Sequence, residues 1–270
     1  MTSLILSSDD SALAQQLGDS AAQALGYRHV DRSVLSEVAS QFAVPEEKLH
    51  RLLDAAAVLR PGSANNRLLW AGIQSRVLRE LCQDSVVSTG LAAHLYVRDI
   101  SHVILIRVLA DPVAREDALA AQHDISVARA KKRLERAKKR RAKWSLGTFG
   151  LDEADPDLYD MVISLSQIGR DKLLEIVKDV AAYRTFKSMS YSRKCLQDLA
   201  LAAEVRATLL PKFAEIDVKA DDGVAIVRVR CSQRSKAAKV EAIKSLAGQL
   251  AEARRVEVHT VKRLREVAGA

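Results

Sequence analysis

The first 32 residues contain the pattern that most constrains how this chain folds. Their polar and apolar residues indicate a strand, a short loop, a helix and a second strand, over 3–6, 7–10, 11–25 and 27–30. Gly26 suits the position after a helix end, and Asp31-Arg32 directly follows the second strand. A phosphate-binding α/β domain begins in this order, so the polar residues after these strands are candidate ligand-binding residues.

The same alternation continues to residue 183. Three more apolar segments are predicted as strands, over 85–89, 102–110 and 161–165. Helices are predicted over 33–42, 45–53, 67–82, 113–143 with a turn near 123–126, and 171–183, and loops over 60–66 and 144–150. The nearly continuous apolar run of 102–110 is typical of a strand buried on both faces. This order predicts an α/β fold, with a five-stranded parallel sheet and helices on both of its faces.

Ligands of such sheets bind beyond the carboxyl ends of the strands. We therefore expect a group of candidate residues to lie near one another at that edge: Ser7, Ser8, Ser11, Asp31 and Arg32. The first loop has no glycine or lysine, although a phosphate cradle needs glycine where consecutive N–H groups turn toward one anion. Its Asp9 and Asp10 would repel a triphosphate, by about 1 kcal/mol or more for each close pair of charges. For Asp31 the alternative role is to cap the next helix.

Residues 129–143 form a strongly basic helical segment. Ten basic residues accompany the single acid Glu135: Arg129, Lys131, Lys132, Arg133, Arg136, Lys138, Lys139, Arg140, Arg141 and Lys143. Arg129, Arg133, Arg136 and Arg140 fall on one helical side, called here the basic face, which can attract phosphate. The alternatives are a solvated charged surface and a nucleic-acid-binding surface whose affinity falls steeply with salt. Single-strand binders also use aromatic residues, which make up only 4% of this chain.

Composition and targeting signals predict a cytoplasmic protein without a membrane span. No apolar run approaches the roughly 20 residues of a span, and the N-terminus lacks the basic region of a secretory signal. Lys and Arg exceed Asp and Glu by 42 − 34 = 8. Cys82, Cys195 and Cys231 lie far apart without a C-x-x-C pair, and the histidines have no ligand spacing, so no metal site is predicted.

The sequence pattern changes after residue 184. A small, polar and basic segment, 185–195, is predicted as a linker between a domain over 1–184 and a domain over 196–265. The second domain is predicted as helix, strand, strand, helix and strand, over 196–210, 215–219, 224–229, 237–251 and 256–261, with a turn at 221–223. This αββαβ order resembles the BON domain, and the resemblance implies contact with a membrane surface or with a protein partner. A generic α+β domain is the alternative, and the absence of acid–base or metal-ligand clusters from its sequence favours binding over catalysis.

Residues 2–183 resemble the cytidylate-kinase-like family of P-loop nucleoside monophosphate kinases. The most specific matches are GYRHVDR at 26–32 and DPDLYDMVIS at 155–164, and the basic segment has the position and type of the family's lid. The resemblance implies a P-loop kinase fold with a helical lid, in which the first loop wraps the phosphates of the donor. An active member would phosphorylate CMP or dCMP with Mg-ATP.

The resemblance also implies roles for particular residues. Asp31 and Arg32 match the pair that lies near the acceptor nucleotide. Arg136 and Arg141 match arginines of the lid, which closes over the phosphoryl group. Asp160 matches the residue that leads into the last strand, where it could pair with a lid arginine.

The chain departs from the family pattern at positions where the family binds phosphate. Its first loop is shorter and has no glycine, Leu91 stands where the family has an arginine between two glycines, and Lys138 and Glu153 replace an acid and an aromatic residue. To catalyse phosphoryl transfer, a protein must position the reacting groups and neutralise the charge of the phosphates. We therefore expect a catalytically degenerate P-loop protein, a pseudokinase, that binds a nucleotide or another phosphorylated ligand in a regulatory or scaffold role.

In this hypothesis no catalytic residue, metal or cofactor is assigned. The lid contributes four candidate phosphate-binding residues: Arg133, Arg136, Arg140 and Arg141. ATP and Mg would be needed only in the alternative, an active nucleoside monophosphate kinase. Nucleic-acid binding through 129–143 is the third hypothesis.

Overall fold

The computed structural model describes residues 2–54, 64–232, 235–250 and 253–261. Five strands form one parallel sheet: β1 Ser3–Ser8, β2 Arg28–Val30, β3 Val86–Thr89, β4 Val103–Leu109 and β5 Met161–Ser164. Their order in the sheet is β2-β3-β1-β4-β5, and every neighbouring pair is parallel. The predicted five-stranded parallel sheet is confirmed. Of the loop predicted over 60–66, residues 60–63 lie outside the described residues, and 64–66 are helical, so the prediction is wrong there.

Helices cover both faces of this sheet, as the alternation of segments predicts. On one face α1 (Ser11–Leu25) and α7 (Arg170–Ala182) pack against a core that contains Leu4 and Leu6 of β1. On the other face α2 (Leu35–Gln41), α3 (Glu46–Leu53) and α4 (Ala64–Leu81) pack against a core that contains Ile5. Successive residues of a strand point to opposite faces, which is why β1 supplies both cores.

Two long helices form a hairpin at the carboxyl edge of the sheet: α5 (Pro112–His123) and α6 (Val127–Phe149). Asp111 caps α5 and Ser126 caps α6, and Asp124, the first of the three residues between the helices, has a left-handed backbone. The loop predicted over 144–150 is wrong, because α6 continues through most of it. Trp144 and Phe149 lie 5.5 and 5.4 Å from the Trp70 ring of α4, and this aromatic packing holds the last turns of the helix.

A second, three-stranded sheet follows: β6 Ile216–Asp221, β7 Val224–Arg230 and β8 Arg255–Val261, with β7 antiparallel to β6 and parallel to β8. With α8 (Ser190–Leu209) and α9 (Lys236–Ala247) it has the predicted αββαβ order. Asp222 and Gly223 form the hairpin turn with φ of 52° and 73°. Two successive positive φ values match the favoured two-residue hairpin turn, for which Asp-Gly is a typical sequence.

Helix α8 belongs to the cores of both sheets. Leu196, Ala200 and Ala203 pack with α4 in a core of the first sheet, whereas Leu201 and Val205 pack in the core of the second. The helix begins at Ser190, so half of the segment predicted as a linker, 185–195, is helical. The division into domains 1–184 and 196–265 stays a prediction, and 262–265 lie outside the described residues. Over the described ranges, no helix is both long and apolar enough to span a bilayer.

Candidate functional site

The connection between β1 and α1 is only two residues long, Asp9 and Asp10. Asp10 has an extended backbone, and its carboxylate accepts hydrogen bonds from the backbone N–H groups of Ala12 and Leu13, both at 3.0 Å. The N-terminus of a helix attracts anions because its first N–H groups lack intrahelical partners. In α1, two of these N–H groups bind the carboxylate of the chain itself.

A cation of the helical hairpin offsets part of the negative charge of this connection. Arg115 of α5 donates to the carboxylate and to the carbonyl oxygen of Asp9, and its Nε lies 4.0 Å from a carboxylate oxygen of Asp10. One guanidinium group therefore faces both carboxylates.

The three candidate serines at and beside the first loop have different surroundings. Ser8 accepts a hydrogen bond from the N–H of Asp10 at 3.2 Å, and Ser11 is exposed in the first turn of α1. Ser7 is buried, 3.5 Å from the hydroxyl of Tyr159.

Asp31 and Arg32 are held by neighbours within the chain. One carboxylate oxygen of Asp31 accepts from the N–H and the hydroxyl of Ser33, at 2.9 and 2.6 Å, and the other accepts from Gln15 at 2.5 Å. Partial burial raises the pKa of Asp31, but these hydrogen bonds outweigh it, and the pKa lies below its ordinary value. Asp31 thus caps the short 3₁₀ turn that follows it, the alternative role considered for it.

Arg32 lies across the end of β3. Its Nη2 is 2.6 Å from a carboxylate oxygen of Asp54, at the end of α3, and its Nε donates to the carbonyl oxygen of Gly90 at 3.2 Å. Gly90 has a left-handed backbone, and a Cβ atom at this position would lie 3.3 Å from the Arg32 side chain, so both features favour glycine there. Arg32 is therefore positioned at the carboxyl edge, but an internal carboxylate binds it.

A buried arginine cluster lies nearby, between β4, the end of α6 and residues 153–159. Glu153 is its carboxylate: Arg141 Nε donates to it at 2.5 Å, and Arg141 Nη1 donates to the carbonyl oxygen of Leu53 at 2.6 Å. Arg107 of β4 donates to the carbonyl oxygen of Glu153 at 3.1 Å and to the hydroxyl of Tyr159 at 3.2 Å. Arg141 also lies 4.4 Å over the ring of Trp144, which fixes its guanidinium group.

His94 completes this cluster. Its ring stacks on Tyr159 with centroids 5.5 Å apart, and its Nε2 lies 3.8 Å from a carboxylate oxygen of Glu153. Burial holds the pKa of His94 well below its ordinary value, and the positive charges of Arg141 and Arg107 add to this effect. His94 is therefore neutral at pH 7, and its buried Nε2 has no hydrogen-bond partner among the described residues.

Of the residues in this cluster, the sequence analysis identified two: Arg141 as a lid arginine, and Glu153 as a replacement of the family's aromatic residue. The missed signal for Arg107 is an arginine in the middle of a strand that is otherwise apolar. A buried charge needs partners, so that arginine alone indicates a polar cluster. His94 gives no such signal, because it lies in a short 3₁₀ turn outside any regular pattern.

The remaining candidate lid arginines make no hydrogen bond or ion pair with this cluster. Arg133, Arg136 and Arg140 are exposed on α6. Within the described part of the chain their guanidinium groups have no ion-pair or hydrogen-bond partner.

Asp160 has a role in the sheet and does not pair with a lid arginine in the described structure. Its carboxylate accepts from the N–H of Leu105 at 2.8 Å, and its own N–H donates to the carbonyl oxygen of Leu105 at 2.9 Å. These bonds start the pairing of β5 with β4. The predicted site residues thus fall into separate groups, along the carboxyl edge, on α6 and at the start of β5.

The parallel sheet with helices on both faces and a helical hairpin at its carboxyl edge define an α/β protein. A profile of the cytidylate kinase-like family matches residues 6–167. The chain belongs to this family. None of the curated proteins matches the chain.

Solved structures similar to this chain include an uncharacterized protein from Eubacterium ventriosum, 13% identical with a TM-score of 0.49, which covers 68% of this chain and 100% of that chain. Shikimate kinase from Bacteroides thetaiotaomicron is 14% identical, with a TM-score of 0.40, and covers 66% and 95% of the two chains. Shikimate kinase from Acinetobacter baumannii, solved with shikimate, is 14% identical, with a TM-score of 0.40, and covers 69% and 96%.

Proposed function

We propose that this chain is a catalytically degenerate member of its family, which binds a nucleotide or another phosphorylated ligand and acts as a regulatory or scaffold protein. The observation that carries the proposal is the carboxylate of Asp10, which accepts the N–H groups of Ala12 and Leu13 at the start of α1. A donor phosphate would need those N–H groups.

The residues present do not fit Mg-ATP at this position. A triphosphate is cradled by successive backbone N–H groups of a glycine-rich loop, whereas the β1–α1 connection has two residues and neither is glycine. Both are carboxylates, and each would repel the donor by about 1 kcal/mol or more even at high dielectric. No step of phosphoryl transfer is therefore assigned to this chain.

Ligand binding is assigned to the basic face of α6 together with Arg32. Arg133, Arg136 and Arg140 are exposed and have no internal partner within the described residues, so their donors are available to a phosphate. Arg32 is partly exposed and bound to Asp54, so a ligand would have to displace that carboxylate. These contacts favour weak binding of a phosphorylated small molecule.

The region after residue 196 is proposed as a BON-like interaction module that binds a protein partner. The αββαβ order supports this assignment. Helix α8 offers a route of transmission, because Ala200 packs in a core of the first sheet and Leu201 in the core of the second.

Two other functions have an observation in their favour. Family membership over 6–167 favours an active CMP or dCMP kinase that uses Mg-ATP. The exposed arginines of α6, unpaired within the described residues, favour nucleic-acid binding, for which affinity falls steeply with salt.

A thermal-shift titration with CMP tests the ligand-binding proposal, because a ligand that binds only the folded state raises its melting temperature. We expect CMP to stabilise the wild type, and the substitution Arg133→Ala/Arg136→Ala/Arg140→Ala to remove the shift. The control Lys131→Ala/Lys138→Ala/Lys139→Ala removes the same charge from other positions of α6 and is expected to keep the shift.

An equal loss in both triple variants would contradict a specific site on the basic face. Tighter binding of a single-stranded oligonucleotide than of CMP, with a steep fall in added salt, would favour the nucleic-acid alternative instead.

A further inference from the structure

A cleft of about 850 Å³ lies between the two sheets, away from the basic face and the buried arginine cluster. One wall is the last turns of α4 with Arg76, Arg79 and Cys82. The other is the start of α8 with Lys194, and the β6–β7 turn with Arg254 beside it. Small-molecule sites have this size and occur preferentially between domains.

Basic groups from three elements line this cleft and outnumber the acids. Among the described lining residues, Arg76, Arg79, Lys194 and Arg254 are the cations, and Asp198 and Asp222 are the carboxylates. Glu37, Glu80 and Glu204 pair with Arg76 and Arg79 from beside this lining, so an anionic occupant depends on cations that keep unused donors and not on a net positive charge.

The two arginines of the α4 wall differ in how firmly they are bound. Arg76 Nη2 lies 2.8 Å from Glu37 and 2.5 Å from Glu80, whereas its buried Nε has no hydrogen-bond partner among the described residues. Arg79 has a looser pair, 3.6 Å from Glu204, and its side chain is 52% exposed.

Two cations share one carboxylate across the cleft from Arg79. Lys194 Nζ lies 2.5 Å and Arg254 Nη1 3.3 Å from the same oxygen of Asp222. Their donors exceed what a single carboxylate oxygen can accept. This wall therefore has the capacity to bind an additional acidic group.

The wall that carries this pair is fixed by backbone contacts. The carboxylate of Asp198 on α8 accepts from the N–H groups of Asp222 and Gly223, at 3.0 and 2.8 Å, and the N–H of Arg254 donates to the carbonyl oxygen of Gly223 at 2.9 Å. The turn is thus tied to the helix whose other residues pack against α4. The backbone that carries Arg254 is thus held in place before a ligand binds, whereas the side chains of Lys194 and Arg254 are 49% and 74% exposed and would be ordered by it.

We propose that this cleft is a second ligand site, for a small anion with at least two acidic groups. One group would be bound by Arg79, and the other by Lys194 and Arg254. Phosphates and carboxylates share this chemistry. Because the two walls belong to different sheets, the bound anion would link α4 to the β6–β7 turn.

Isothermal titration of the full chain with inorganic tripolyphosphate and, separately, with citrate tests this proposal and distinguishes the two sources of acidic groups. We expect at least one anion to bind, and Arg79→Ala/Arg254→Ala to weaken it at least about tenfold, the scale of a lost charge-assisted hydrogen bond. The control Lys178→Ala/Arg184→Ala removes two exposed cations that lie outside both proposed ligand sites and is expected to keep the affinity. Absence of binding by either anion, or an equal loss in both variants, would overturn the proposal.

A second readout needs no substitution at the cations. Cys82 lines the cleft and is exposed, whereas Cys231 lies outside its lining and is half-buried. We expect the binding anion to slow alkylation of Cys82 by iodoacetamide at least about threefold while leaving the rate at Cys231 unchanged. Unchanged alkylation of Cys82 at a saturating anion concentration would place the anion elsewhere and contradict the site.

Discussion

Glu153 is the carboxylate of a cluster that also contains Arg107, Arg141 and His94. Its side chain is 8% exposed, and Arg141, its partner at 2.5 Å, is 31% exposed. Removing one member of a buried ion pair leaves the other charge uncompensated, which is far costlier than losing a surface pair. Glu153 should therefore dominate the stability of this part of the molecule.

We expect Glu153→Gln to lower the free energy of unfolding by about 2–4 kcal/mol, toward the lower end because Arg141 reaches solvent. Urea unfolding followed by circular dichroism measures this change. Glu135→Gln removes a carboxylate from the exposed part of α6 and is expected to change stability by less than about 0.5 kcal/mol. Similar effects of the two substitutions would contradict the structural role of Glu153.

His94 should make stability depend on pH. Its pKa lies well below its ordinary value because of burial and the charges of Arg141 and Arg107, so below about pH 6.5 the unfolded chain binds a proton that the folded chain does not. Stability therefore falls as the pH decreases through that value, by up to about 1.4 kcal/mol per pH unit for this group.

The comparison of wild type with His94→Leu between pH 7.5 and 5.5 isolates this contribution. We expect a shallower fall of the unfolding free energy in the variant. Burial also lowers the pKa of His102, which adds a fall of the same sign to both proteins, so the difference between their slopes is the quantity to measure. Equal slopes would mean that His94 is accessible to protons in the folded state.

At the start of α1, a local sequence signal indicates whether the first loop can bind a donor phosphate. The sequence of its first loop already excludes a glycine cradle, and the structure adds that Asp10 is the cap of the helix. We expect Asp10→Ala to cost about 1 kcal/mol of stability, the usual effect of losing a cap, and Asp10→Asn to cost less because its side-chain oxygen still accepts. Thermal melts of both variants measure the difference, and an Asp10→Ala protein as stable as Asp10→Asn would contradict the cap.

Helix α6 shows where sequence reasoning fails. Gly147 within WSLGTFG favours a loop over 144–150 by local propensity, yet the helix continues to Phe149 and ends at Gly150, whose φ is 70°. Packing of Trp144 and Phe149 on Trp70 overrides the local signal, and Trp70 lies more than seventy residues earlier, so no window of sequence contains the cause.

The strands were predictable for the opposite reason. Each is a short apolar segment whose signal is complete within itself, and their alternation with helices fixes the parallel order. The buried arginine cluster was not predictable in this way, because Arg107 and Glu153 are 46 residues apart and only the fold brings them together.

Helix α8 makes one continuous structure of the two sheets. Leu196 is buried in a core of the first sheet and Leu209 in the core of the second. We expect Leu196→Ala and Leu209→Ala each to cost about 2–5 kcal/mol, since both leave cavities, and to shift a single unfolding transition. Exposed Leu146→Ala is the control, with an expected change below about 0.5 kcal/mol. Calorimetry that resolved two transitions, each sensitive to only one of the two leucines, would contradict a shared core.

The whole molecule keeps the sheet, helices and hairpin of a kinase-like fold, while in its first loop Asp10 caps α1 and Arg115 offsets only part of the charge of the two carboxylates. We therefore expect the chain to have the fold of its family without phosphoryl-transfer activity. A cleft lined with basic residues between the sheets and an exposed basic face on α6 are the proposed places for ligands instead.

A coupled assay of phosphoryl transfer from Mg-ATP to CMP and dCMP most directly tests whether the chain lacks kinase activity despite its fold. We predict no turnover above the rate without protein, for either acceptor at saturating concentrations. Steady turnover on the order of 1 s⁻¹ or more, the ordinary range of enzymes, would contradict this prediction.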